Sequence, residues 1–145
     1  MGFPKPVSGL VIRYAYLWNS EFLQGREEGT KDRPCAVILV TTDAQGDEVV
    51  TVLPITHAMP AESMLAMEIP ARTKARIGLD SDRSWIVLSE VNRFKWPGPD
   101  LRMAVNGETA SVAYGQIPRK FFLQLRERFI AVLKEGRTRV VSREP

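Results

Sequence analysis

A mainly β fold, a small and strongly bent sheet or barrel with one terminal helix, is predicted by three features of the chain. Short runs rich in β-branched and aromatic residues recur between turn signals. A single stretch of clear helical period follows Pro118. The strand–helix alternation of doubly wound folds is missing, and so is a Gly-rich phosphate loop.

Gly9 to Trp18 reads as the first strand. Residues 19–32 are polar, with Gly25, Gly29 and the charge run Arg26-Glu27-Glu28, and predict a loop of a length that usually carries function. Arg33 to Val40 is the second strand; proline is tolerated at a strand's start, and Pro34 holds Arg33 extended. Asp43-Ala44-Gln45-Gly46-Asp47 supplies turn chemistry, and Val49 to His57 returns as the third strand. Both faces of these two runs are apolar, so they are expected to be central and covered on both sides.

Met64 to Ile69 predicts a short fourth strand, and Pro70 to Arg76 one or two helical turns stopped by Gly78. Ser84 to Val91 predicts a fifth strand, broken by Arg93-Phe94-Lys95-Trp96-Pro97-Gly98-Pro99. One more short strand is expected near Ser111 to Tyr114. The helix runs from Pro118 to about Glu135 and ends at Gly136, with Phe122, Leu125, Phe129, Val132 and Leu133 as its buried stripe. Phe121 and Phe122 could instead serve a partner. Residues 137–145 read as a polar tail or an edge strand.

The 145 residues suit a single domain with its own core, 44% of them apolar and 26% charged. A net charge of +3 permits a polyanionic partner without demanding one. Cys35 is the only cysteine, which excludes a disulfide scaffold, and within an apolar run it reads as a small buried hydrophobe. No stretch has the pattern of a signal peptide or a membrane span, so a cytoplasmic protein is expected.

Chemistry is limited by the single histidine, His57. Multi-histidine metal sites are impossible, and no metal or other cofactor is expected. No nucleophile-elbow pattern accompanies His57, which reads as a strand-end residue or, alternatively, a general base. The sharper signal is positional. If the second and third strands pair as a hairpin, Arg33 and Thr56 meet at one rim, a guanidinium beside a hydroxyl, suited to a phosphate and to charge developing on it. Cleavage of RNA fits, because the nucleophilic 2′-hydroxyl belongs to the substrate. Glu28 could accept its proton, or belong to a solvated charge run. Arg93, Lys95 and Trp96, with Phe94, offer cations and aromatic faces for single-stranded RNA, or form a packed corner.

These residues resemble the MazF/PemK family of toxin endoribonucleases over roughly residues 8–102. The resemblance runs through Gly9, the loop with Glu28, Arg33-Pro34 and its strand, Leu53-Pro54-Ile55-Thr56, Glu68-Ile69-Pro70, Gly78-Leu79 and Trp85 through Arg93. It implies an SH3-like barrel with short helices, usually a homodimer, that cuts single-stranded RNA without a metal and is held off by a cognate antitoxin. It implies catalytic roles for Arg33, Thr56 and Glu28, and RNA contacts along the same groove, where we assign His57, Arg93, Lys95 and Trp96. The chain departs from the family in having Leu10 after Gly9, a longer charged loop before Arg33, and His57 after the threonine. The alternatives are a non-catalytic binding module for nucleic acid or protein on the same fold, or a relative of the gyrase-poisoning toxins.

Overall fold

A computed structural model describes residues 3–27, 29, 31–104 and 111–143. Glu28 lies outside the described residues. Among these residues, nine strands and three α-helices follow in the order β1 (Leu10–Tyr14), α1 (Asn19–Leu23), β2 (Arg33–Thr42), β3 (Glu48–Thr56), β4 (Ala66–Glu68), α2 (Ala71–Arg76), β5 (Trp85–Val87), β6 (Glu90–Lys95), β7 (Leu101–Arg102), β8 (Ala113–Gln116), α3 (Arg119–Lys134) and β9 (Arg139–Ser142). The fold is mainly β, as expected. Among the described residues the strands run β4-β5-β3-β2-β1-β7 as an open path, with β6 also on β3, β8 also on β1, and β9 on β6. Every pairing is antiparallel except β6 with β9.

The β1–β2–β3 ladder is the frame, and both of its faces are buried. Val11, Ala36, Leu53 and Ile55 point to one side, where Phe121, Leu125, Phe129 and Val132 of α3 cover them. Ile12, Cys35, Val37, Val50 and Val52 point to the other, beneath Tyr14, Tyr16 and Phe94. Tyr14 and Phe94 stack with centroids 4.5 Å apart. A sheet that covers both of its own faces has to bend, and the near-continuous apolar runs of β2 and β3 follow from that.

Several expectations shift. The loop predicted at 19–32 contains α1, whose first turn is held by the Glu21 carboxylate accepting from the Trp18 N–H at 3.1 Å. The predicted fourth strand begins with a 3-10 turn at Ser63–Leu65. The predicted fifth strand is two strands on one neighbour: β5 meets Ile55 and Thr56, while β6 meets Val49 to Val52 in a register shifted by three residues (55 with 86, 49 with 95). On α3 the buried stripe includes Phe121, Phe122 is half-buried, and Leu133 is exposed. Residues 139–142 form β9, which packs in parallel on β6. Among the described residues, no helix is long and apolar enough to cross a membrane.

Candidate functional site

The antiparallel register of β2 and β3 pairs Cys35 with Pro54. Continued by two residues, it sets Arg33 opposite Thr56. Both line a cavity of ≈ 390 Å³ together with His57, Lys74, Asp80 and Ser84, among others, a size in the range of small-ligand sites.

Arg33 is held from two sides. Its guanidinium lies 4.9 Å from the centroid of the Trp18 ring, and its Nη1 donates to the Ile55 carbonyl at 3.4 Å. Nε is buried and, among the described residues, has no hydrogen-bond partner. A guanidinium carries five donors and no acceptor, which suits it to an anion, though the buried Nε itself is shut off from solvent. Asp32 beside it is engaged elsewhere, 3.8 Å from Arg13 and 3.6 Å from Arg102. The Thr56 hydroxyl oxygen accepts from the Ala58 N–H at 3.2 Å, which fixes its rotamer and leaves its own hydrogen free to donate.

Opposite Thr56 the chain builds a polar relay. Helix α2 ends in a Schellman motif: the Leu79 N–H reaches the Lys74 carbonyl at 2.9 Å and the Gly78 N–H the Ala75 carbonyl at 3.3 Å, with Gly78 at φ +75°. This reversal brings Asp80 back over Lys74. The Lys74 Nζ donates to Asp80 Oδ1 at 2.7 Å, to Ser84 Oγ at 2.6 Å and to the Asp82 carbonyl. Asp80 Oδ2 lies 2.9 Å from His57 Nε2. Hydrogen bonding to Lys74, with a smaller contribution from His57, holds the Asp80 carboxyl below the usual carboxylate range. Among the described residues, His57, Asp80 and Asp82 are the cluster with the donor set of a metal site. The Lys74 ammonium contacts two members of this cluster, at Asp80 Oδ1 and the Asp82 backbone carbonyl.

Glu90, at the start of β6, accepts from the Tyr16 hydroxyl at 3.0 Å and the Asn19 N–H at 2.9 Å. Burial pushes its carboxyl above the ordinary range, against those hydrogen bonds and the field of Arg33. Arg143, reaching back from beyond β9, donates to the Ala15 carbonyl, the Asn92 Oδ1 and the Glu27 carbonyl, and pairs with Asp100 at 3.0 Å. This ties the second face of the sheet to the loop preceding Arg33.

Of the residues picked from sequence, Arg33, Thr56 and His57 come together. Arg93, Lys95 and Trp96 do not join them. Strand β6 continues to Lys95 rather than breaking at Arg93, so Arg93 lies opposite Thr51 and Lys95 opposite Val49. Those partners lie five and seven residues along β3 from Thr56, roughly 17 and 23 Å at the usual rise. Lys95 is spent on Asp43 and Asp47 of the hairpin turn, each at 3.6 Å, and Trp96 packs against the second core cluster. Sequence reasoning missed Lys74 and Asp80. Their signal was present: Gly78 two residues after a short helix marks a reversal that returns the next polar residues toward that helix's last turn. No protein-family model matches the chain, and no curated protein matches it either.

Proposed function

We propose that this chain is a toxin-type endoribonuclease of the MazF/PemK kind, an SH3-like barrel acting as a homodimer and restrained by a cognate antitoxin. Its substrate is single-stranded RNA. The substrate's 2′-hydroxyl attacks the neighbouring phosphorus, giving a cyclic phosphate and a free 5′-hydroxyl. Arg33 neutralises the charge that develops on the phosphorane, and the Thr56 hydroxyl donates to a non-bridging oxygen. The resemblance adds Glu28 on the preceding loop. This reading requires no metal, because the nucleophile belongs to the substrate and Arg33 supplies the positive charge.

The observation that supports this reading is the β2–β3 register that sets the Arg33 guanidinium and the Thr56 hydroxyl, its oxygen fixed by the Ala58 N–H, on the lining of one cavity. Expression of the chain is expected to generate new 5′-hydroxyl ends in bulk RNA. Arg33→Ala should lower cleavage by roughly 10²–10³-fold, as loss of one charge-stabilising donor does, and Thr56→Val should weaken it while leaving the thermal melt unchanged. Growth arrest with intact RNA and stalled DNA synthesis would replace this reading with gyrase poisoning. No effect on RNA or growth would leave a binding module.

A further inference from the structure

We infer that His57 takes the proton from the 2′-hydroxyl, and that Asp80 and the buried Lys74 are positioning residues that hold it in the accepting tautomer. The inference rests on the ribonuclease reading above and names the proton acceptor within it.

Lys74 lines the cavity but has nothing to offer a substrate. An ammonium has three donors, and all three are taken, by Asp80 Oδ1, the Asp82 carbonyl and Ser84 Oγ. Its side chain is 4% exposed. Its effect is therefore exerted on Asp80, which it keeps ionised and fixed in place. The Asp82 N–H, donating to the same Oδ1 at 3.1 Å, adds to this.

An ionised carboxylate only accepts. With Asp80 Oδ2 2.9 Å from Nε2, that nitrogen must carry the ring hydrogen, and a neutral His57 presents the Nδ1 lone pair. The ring is 59% exposed at the mouth of the cavity, so RNA reaches it while Asp80 grips the other edge. Among the described residues, the charged groups sharing this cavity are Lys31 and Asp32 just before β2, Arg33 at its start, Lys74 on α2, and Asp80 after it. Of these, Asp80 is the one bonded to the ring.

In the step itself, the bond from the 2′-oxygen to phosphorus forms as the bond from phosphorus to the 5′-oxygen breaks. The 2′-hydroxyl proton passes to His57 Nδ1. The departing 5′-oxygen takes a proton from water, and the imidazolium returns its own to the hydroxide so formed. No oxidant, metal or net proton is consumed.

The test uses the full chain with total single-stranded RNA, counting 5′-hydroxyl ends between pH 5 and 8, the range in which an imidazole titrates. A general base acts in its unprotonated form, so wild-type cleavage should be faster at the upper end of this range, and that dependence should be lost in His57→Ala. His57→Ala and Asp80→Asn should each lower the maximal rate by roughly 10²–10⁴-fold, the usual weight of general-base catalysis, with the half-saturating RNA concentration unchanged. Since His57 is the only histidine, nitrogen NMR of the free protein reads its tautomer without ambiguity. Hydrogen on Nε2 in the wild type, lost in Asp80→Asn, is expected. A fully active His57→Ala would overturn the inference and leave the nuclease standing. A wild-type chain that never cuts RNA, yet shows the locked tautomer, would overturn the nuclease reading and the catalytic assignment with it.

Discussion

Lys74 is a charge held almost wholly out of water, and it is tolerated because each of its donors has an acceptor. Its partner Asp80 is ionised more readily in the folded protein than in a free chain. A carboxyl whose folded value is depressed adds stability above its ordinary range, and that stability is lost as pH falls through the depressed value. Asp80→Asn should accordingly be less stable than wild type near neutrality, with the difference shrinking in acid; urea midpoints at the two pH values measure it. A gap that widens in acid would contradict the pairing. At this scale the sequence was partly legible. Arg33 and Thr56 could be matched by counting along a hairpin, because antiparallel register fixes partners. Lys74 and Asp80 could not, since their meeting depends on the direction in which a helix is left and on rotamers no pattern encodes.

Helix α2 is only Ala71–Arg76, too short to persist alone, and its termination decides where Asp80 goes. Gly78 sits at φ +75°, where a side chain costs about 1–2 kcal/mol. Gly78→Ala is expected to lose about that much in chemical denaturation, whereas an unchanged midpoint would mean the reversal is not needed. Element type and order followed from apolar period and turn residues for β2, β3 and α3. The division of β5 from β6 did not, because a register shift leaves the composition of a strand unchanged. That one error also misplaced Arg93, Lys95 and Trp96, which ride on the continued strand toward the hairpin turn.

Across the whole molecule, the strands divide their side chains between two cores, one under α3 and one under Tyr14, Tyr16 and Phe94. The site lies at one end of the ladder that both cores fix, which makes its geometry a property of the packed sheet. Leu125 is fully buried on the face that α3 turns to the sheet. Leu125→Ala should cost roughly 2–5 kcal/mol, measured by urea unfolding, and a loss well below that would mean α3 is a loosely attached extension. The two-sided burial of the central strands was legible from their unbroken apolar runs. The docking of residues 139–143 was not, for a polar tail and a strand locked by Arg143 read alike until Asp100, Asn92 and the Ala15 carbonyl are seen to converge.

Cys35 sits inside that same ladder, fully buried between Ile12 on β1 and Pro54 on β3, its thiol pushed well above the ordinary range by desolvation. Reagents that attack thiolates therefore meet no target until the neighbouring strands part. The lone thiol becomes a clock for opening of the frame, and it stays silent while cysteines introduced on the surface are tagged.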